Sequence, residues 1–206
     1  MIKKKTAAAT AKKKINPHAC LDERNRLALA YLELARDRQF QKLDETRQFS
    51  LIREVLAIGA EVAEAIVAEH GTRDPRRIAS KLGVRVFGED DGKSKGSEYR
   101  KGKKEIVIYR SFHEKLLRDV KSRELSEHLL KYVVAHELFR HLEHDQLGEI
   151  YKRYKFNRWR LGPIVRDTYI KGLSRVAAQA FTQKLLDLEI SPQVFDYLTY
   201  VLYTSK

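Results

Sequence analysis

The fold is decided by the stretch Tyr132-Val133-Val134-Ala135-His136-Glu137-Leu138-Phe139-Arg140-His141-Leu142-Glu143-His144. This stretch nearly matches the helical motif His-Glu-x-x-His, in which two histidines one turn apart bind zinc and the glutamate between them handles a proton. His136 and Glu137 match, but Arg140 stands where the second histidine belongs, and His141 comes one residue later. What the protein does depends on whether other residues compensate for that departure.

A long helix with one buried side carries this stretch in our prediction. Ser126 can cap its N-terminus, and apolar residues then recur at helical spacing to about Asp145. These residues are Leu129, Leu130, Val133 and Val134. Side chains on a core helix are held in fixed positions, as a functional site requires.

Short strands between helices decide the fold class. Val84–Phe87 alternates as a strand, and Ser97–Arg100 and Glu105–Tyr109 are two more strands, joined by a turn at Lys101–Lys103. The other predicted helices are two between Leu21 and His70, one over Asp74–Gly83 capped by Asp74, one opened by the capping box Ser111–Glu114, one over Gly172–Leu188 and one over Gln193–Tyr203. The sequence therefore predicts an α+β domain that is mainly helical and contains a small three-stranded sheet.

The composition limits the protein to a few classes. A chain of 206 residues suits one compact domain with appendages. Its single cysteine, Cys20, excludes an internal disulfide and is compatible with a reducing cytosol. No run approaches the roughly 20 apolar residues of a membrane span, and the N-terminus lacks the features of a signal peptide. We expect a cytoplasmic protein with no membrane partner.

Charge divides the chain into three predicted parts. Residues 1–16 carry six lysines and no acid, which predicts a disordered basic tail. Residues 17–48 are predicted to form an N-terminal helical arm with wide charged faces, and residues 49–206 form the main domain. The formal net charge of +13 favours polyanionic partners, and residues 1–16 are one candidate contact with nucleic acid.

Residues 151–175 form a second basic segment, which we interpret as a loop. It contains eight cationic residues and a single acid, Asp167. Its interleaved aromatic residues are Tyr151, Tyr154, Phe156, Trp159 and Tyr169. Cationic side chains with aromatic faces are typical of nucleic-acid contacts. The alternative is that the aromatic residues pack the loop onto the domain while the charges stay solvated.

The order of these parts resembles the ImmA/IrrE family of zinc metallopeptidase-like proteins. The resemblance is carried by Asp74–Gly83, the short strands, Ala135–Phe139 and the helix Ser174–Leu186, and it covers roughly residues 50–200. It implies a zincin-type fold and zinc as the cofactor. In that family, two motif histidines and a downstream acid hold the metal, and the motif glutamate activates the bound water.

Carried over to this chain, the resemblance makes His136 the first ligand and Glu137 the general base. Arg140 falls at the second ligand position, and the third falls at or beside Ser174-Arg175, where Arg175 replaces an acid. A guanidinium does not deprotonate in a protein and offers no lone pair to zinc. The resemblance therefore implies that the ordinary zinc site is absent.

Three alternatives remain open at this stage. His136, Glu137 and His141 are a shifted ligand set, but the two histidines are five residues apart and diverge by about 140° on a regular helix unless a π-bulge realigns them. Glu137, His141 and His144 share one stripe and are a second candidate set. The histidines near the helix C-terminus are otherwise ordinary polar residues.

A fourth interpretation of the motif requires no metal. In it, Arg140 and Arg175 stand where zinc would have stood and neutralise Glu137, so that Glu137→Gln is expected to lower the thermal stability. Three functions follow from these readings. The first is a regulatory pseudo-peptidase that binds a protein or peptide, the second is an active zinc metallo-endopeptidase, a hydrolase with a shifted ligand set, and the third is a basic nucleic-acid-binding regulator.

Overall fold

The computed structural model describes residues 17–90, 96–110, 114, 123–161 and 164–189. The predicted basic tail, the capping box at Ser111–Glu114 and the predicted helix over Gln193–Tyr203 lie outside the described residues, apart from Glu114 itself. The described helices are α1 (Pro17–Leu34), α2 (Glu45–His70), α3 (Pro75–Lys81), α4 (Arg123–Leu142) and α5 (Gly172–Leu186). The strands are β1 (Arg85–Glu89), β2 (Ser97–Arg100), β3 (Glu105–Tyr109), β4 (Phe156–Leu161) and β5 (Ile164–Thr168). The predicted α+β class is confirmed.

The three predicted strands form one small mixed sheet. Strand β3 lies in the centre, parallel to β1 and antiparallel to β2. All five residues of β3 are buried, because they form an uninterrupted row of mostly β-branched and aromatic side chains covered on both faces. The predicted turn between β2 and β3 is a short 3-10 helix at Lys101–Lys103.

Helix α4 is the central helix of the domain, as the apolar spacing predicts. It packs between the sheet and α5 and buries Val134, Ala135, Leu138, Phe139 and Leu142 completely. The Phe139 ring lies 5.3 Å from the ring of Phe181 on α5. Helix α4 therefore has two buried sides, one packed on the sheet and the other packed on α5.

Helices α2 and α5 form the closest helix pair in the described structure. Gly59 of α2 lies against the backbone of α5, next to Ala180 and Phe181. Asp44 caps the start of α2 by accepting a hydrogen bond from the Arg47 amide, and Gly71 ends it in the left-handed conformation. Because of this close approach, α5 is held in place along most of its length.

The C-terminal half of the predicted N-terminal arm packs on the domain. Ala30 and Leu34 of α1 and Phe40 of the following 3-10 turn are fully buried and belong to the same core as α2, α4 and α5. The small apolar stripe of α1 is enough to dock it despite its wide charged faces. Within the described part of the chain, no helix combines the length and apolar character that a bilayer crossing requires.

The interpretation of residues 151–175 as a loop is wrong for much of the segment. Strands β4 and β5 pair in an antiparallel ribbon, with Trp159 opposite Arg166 and a bulge between Asn157 and Trp159. Tyr151 and Tyr154, which precede the ribbon, and Phe156, the first residue of β4, pack partly against the core. The aromatic and β-branched residues between the arginines favour a strand, a preference hidden in the sequence by the density of charge.

Candidate functional site

The motif residues of α4 point to two different sides of the helix. Glu137 and His141 face strand β2, where they hydrogen-bond to Ser97 and Tyr99. His136 and Arg140 line a cavity on the side of α5. This division follows from helical geometry, because residues four apart share a face and residues one or five apart do not.

Glu137 is held by the sheet. Only 3 % of the residue is exposed, and its Oε1 accepts a hydrogen bond of 2.8 Å from the Ser97 hydroxyl. Oε2 lies 3.6 Å from a guanidinium nitrogen of Arg140 and has no hydrogen bond among the described residues. Burial raises the pKa of Glu137, and Arg140, Ser97 and Tyr99 oppose that rise.

His141 belongs to a separate hydrogen-bonded group. Its Nδ1 lies 2.8 Å from the Tyr99 hydroxyl and 4.0 Å from a carboxylate oxygen of Asp145. Burial lowers the pKa of His141, and Asp145 opposes this effect. Lys104 in turn donates a 2.6 Å hydrogen bond to Asp145. His141 is thus engaged on the β2 side of α4, away from the cavity that His136 lines.

A π-helical turn follows α4, but it does not realign the two histidines. The turn spans Glu143–Leu147 and therefore begins two residues beyond His141. The spacing between His136 and His141 stays that of a regular helix, and their predicted divergence is confirmed. Among the residues that the structure describes, no three His, Cys, Asp or Glu side chains are grouped so that they can hold a metal ion.

The cavity next to His136 lies between α4, the start of α5 and the C-terminal end of α1. Its volume is about 460 Å³, and its described lining includes His136, Arg140, Glu143, Ser174 and Arg175. The three positions that the resemblance identifies as ligand positions, His136, Arg140 and Arg175, thus line one cavity. A larger cavity of about 1030 Å³ lies beside α3 and β1, but no predicted site residue lines it.

His136 is held neutral in this cavity. Its Nδ1 is buried and has no hydrogen-bond partner within the described ranges. Burial, with added repulsion from the guanidinium groups of Arg140 and Arg175, lowers the pKa of His136 to about 3. The imidazole therefore carries no charge at neutral pH.

Arg175 does not neutralise Glu137, which corrects part of the sequence-based hypothesis. Its guanidinium donates a 2.7 Å hydrogen bond to Oε1 of Glu33 on α1. Among the described residues, Arg140 is the cation that pairs with Glu137, and its side chain is half exposed, so solvent weakens this ion pair. The two arginines occupy the predicted ligand positions, but each forms an ion pair with a different carboxylate.

Glu143 is a site residue that the sequence reasoning missed. It is 8 % exposed and lines the cavity, and its Oε1 accepts a 2.7 Å hydrogen bond from the Ile150 amide and another from the Ser174 hydroxyl. It thereby ties the end of α4 to the start of α5. A signal was present in the sequence, because His136, Arg140 and Glu143 are spaced i, i+4, i+7 along one face.

The donors around the cavity do not fit zinc. A zinc site in proteins takes three or four sulfur, imidazole or carboxylate ligands. Here His136 offers one nitrogen, and the carboxylates of the described lining, Glu33, Asp37 and Glu143, already accept hydrogen bonds, while Arg140 and Arg175 carry permanent positive charge. Two cations within about 4 Å of a dication cost several kcal/mol each, even at an effective dielectric constant of ~20.

No family model, curated protein or solved structure matches the chain. The ImmA/IrrE resemblance therefore stays a prediction that rests on the residues quoted for it. The structure adds the spatial arrangement of these residues, with His136 and Arg140 on one face of a core helix and Arg175 on the helix packed against it.

The buried carboxyl of Glu137 gives a prediction on pH dependence. A carboxyl whose pKa is raised in the folded state stabilises the fold while it is protonated, and this contribution is lost as the pH rises through the raised pKa. We expect the melting temperature of Glu137→Gln, relative to the wild type, to increase between about pH 4 and about pH 7. The amide oxygen of glutamine keeps the hydrogen bond from Ser97.

Thermal denaturation followed by circular dichroism across that pH range measures this difference. The pKa of His136 is lowered in the folded state, so this residue makes the fold less stable as the pH falls. The effect is the same in both proteins, so the difference between their melting temperatures reports on Glu137. Glu61→Gln, at an exposed position of α2, is the matched control and should show no such trend. A melting temperature of Glu137→Gln that falls further below the wild type as the pH rises would instead support neutralisation by the two arginines.

Proposed function

We propose that this protein is a regulatory pseudo-peptidase, a non-catalytic relative of the ImmA/IrrE metallopeptidases that binds a protein or peptide partner. The observation that carries the proposal is the convergence of His136, Arg140 and Arg175 on one cavity. The frame of a metal site is retained in this arrangement, while cations stand at two of its three ligand positions.

The position of Glu137 supports the same conclusion. A water-activating glutamate must reach the water that it deprotonates. Glu137 instead faces β2, where the Ser97 hydroxyl donates a hydrogen bond to its carboxylate. Three acids of the described lining do face the cavity, and each is already engaged: Glu33 by Arg175, Asp37 by the amides of Gln39 and Phe40, and Glu143 by Ser174 and the Ile150 amide. Among the described lining residues, no carboxylate is therefore left over to act as the base for peptide hydrolysis.

Zinc content tests this proposal directly. The wild-type protein, purified without chelator, is expected to contain far less than one equivalent of zinc and to take up none after incubation with excess zinc and desalting. The physical reason is the charge of Arg140 and Arg175 beside the single imidazole. Metal analysis by mass spectrometry gives the ratio of zinc to chain. A ratio near one that disappears in His136→Ala would overturn the proposal in favour of an active metallo-endopeptidase.

The ribbon of β4 and β5 favours a second candidate function, a contact with nucleic acid. A two-stranded antiparallel ribbon fits a nucleic-acid groove, and Arg158, Trp159, Arg160 and Arg166 lie along this one. We expect Arg158→Ala combined with Arg160→Ala to weaken binding to DNA or RNA and to reduce its salt dependence by about two counterions.

Fluorescence anisotropy with a labelled oligonucleotide over a range of salt concentrations measures both quantities. The matched control is Arg76→Ala with Arg77→Ala, which removes two exposed cations from α3. An equal loss in both double variants would mean that the overall charge of the protein, and not the ribbon, attracts the oligonucleotide.

A further inference from the structure

We propose that the cavity between α1, α4 and α5 binds a carboxylate group of a partner peptide, with the guanidinium groups of Arg140 and Arg175 as its anchors. The inference rests on the proposed function, because it places the arginines where a metal ion would otherwise bind the ligand. It adds the chemical class of group that the cavity recognises.

The described lining of the cavity contains more hydrogen-bond donors than its own acceptors engage. The cationic lining residues are Arg36, Arg140, Lys171 and Arg175, and the acidic ones are Glu33, Asp37 and Glu143. Each acid already has partners. Glu33 accepts from Arg175, Asp37 accepts from the amides of Gln39 and Phe40, and Glu143 accepts from Ser174 and Ile150.

The donors on the same wall are less well engaged. The side chains of Arg36 and Lys171 make no hydrogen bond or ion pair with any described residue, and the guanidinium of Arg140 has only its 3.6 Å contact with Glu137 among them. Arg175 uses one of its five N–H donors on Glu33. An acceptor with several lone pairs, as a carboxylate has, is the group that these donors lack.

The guanidinium groups are accessible as well as unsatisfied. The side chains of Arg140 and Arg175 are 50 % and 56 % exposed, and both residues line the cavity, so both are open to solvent beside it. The planar fork of an arginine binds a carboxylate through two parallel N–H donors. A ligand entering from solvent can therefore reach both anchors.

The charge of the lining favours a carboxylate over a phosphate. Four cationic and three acidic side chains among the described lining residues leave one net positive charge, which a single carboxylate balances. A dianionic phosphate or a polyphosphate chain carries more negative charge than this lining balances, and the three acids would repel it. The volume of about 460 Å³ lies in the usual range for small-ligand pockets and has room for the terminal residues of a peptide.

A matched pair of peptides tests the inference. The probes are acetylated tri-alanine with a free C-terminal carboxylate and the same peptide with a C-terminal amide, so that the two differ in the carboxylate alone. Titrations of the full-length protein are followed by NMR, including the side-chain N–H signals of arginine. We expect the free acid to bind in the millimolar range and to shift the signals of Arg140 and Arg175, and the amide to bind at least tenfold more weakly.

Variants locate the binding. Arg140→Gln and Arg175→Gln should each weaken the free acid by about tenfold, and Arg140→Lys by less, because lysine keeps the charge but loses the fork. Arg47→Gln is the control, since it removes an equally exposed arginine that lies outside the cavity. Equal affinity for acid and amide, or an unchanged affinity in both glutamine variants, would overturn the inference. Tighter binding of inorganic phosphate, or displacement of the peptide by an oligonucleotide, would also overturn it.

The same titration in the presence of a chelator separates this inference from the proposed function. If the free acid binds only when metal is present, a bound ion holds the carboxylate, and both proposals fail. If no peptide binds under either condition and the protein contains no zinc, the carboxylate site alone is wrong. Binding that is insensitive to the chelator supports both.

Discussion

The double variant Arg140→His with Arg175→Glu is expected to bind about one equivalent of zinc per chain, whereas the wild type binds none. The first change places a second imidazole one turn after His136, and the second brings a carboxylate from α5 to the same cavity. Both changes remove a cation, so the repulsion that excludes a dication is relieved. His136 already presents an unpartnered nitrogen.

The variant should still fold. Arg175 and Glu33 are both partly exposed, so the loss of their ion pair costs about 0–1 kcal/mol. Competition with a chromogenic chelator gives the affinity, and circular dichroism verifies the fold. Adding His136→Ala to the double variant is the control and should abolish zinc binding. A folded double variant that takes up no zinc would mean that these positions do not form a ligand frame, and the ImmA/IrrE resemblance would lose its support.

Gly59→Ala is expected to destabilise the fold by about 2 kcal/mol, although alanine is the better helix former by about 1 kcal/mol. A Cβ atom at this position would lie 2.8 Å from Cβ of Ala180 and 2.9 Å from the amide nitrogen of Phe181. It would lie closer still to the carbonyl oxygen of Ala177. These neighbours are mostly backbone of α5, which cannot yield without moving the helix.

Thermal unfolding measures this effect, and the melting temperature should fall by about 4–8 °C. Gly102→Ala is the matched control, because a Cβ atom there meets no atom within 4 Å. We expect its melting temperature to be unchanged or slightly raised. An equal loss in both variants would show that glycine at position 59 matters for backbone conformation and not for the close packing of α2 on α5.

The sequence predicted the elements whose local signals agree with their surroundings. Ile106–Tyr109 of β3 is an uninterrupted apolar run, and α4 has apolar residues at helical spacing, so burial reinforces what each segment favours by itself. The predicted divergence of His136 and His141 also follows from local geometry alone. It needs only the regular winding of one helix.

The features that the sequence did not reveal depend on contacts between distant segments. The docking of α1 rests on Ala30 and Leu34, a narrow stripe on a charged helix that needs the completed core as its partner. In the sequence, Glu143 resembles a solvent-facing residue near a helix end. Its burial depends on hydrogen bonds from Ser174 and the Ile150 amide, which come from later segments of the chain. The partner of Arg175 was missed for the same reason, since Glu33 comes from the opposite part of the chain.

The ion pair between Glu33 and Arg175 joins residues that are 142 positions apart. Contacts of such long range form late in folding, because the entropy of closing a long loop must be overcome first. During synthesis, α1 emerges well before α5, so the cavity wall is incomplete until nearly all of the described chain has left the ribosome. The guanidinium groups of Arg140 and Arg175 are brought into one cavity only in the folded protein. A partner that needs both arginines will therefore bind the folded protein and not the nascent chain.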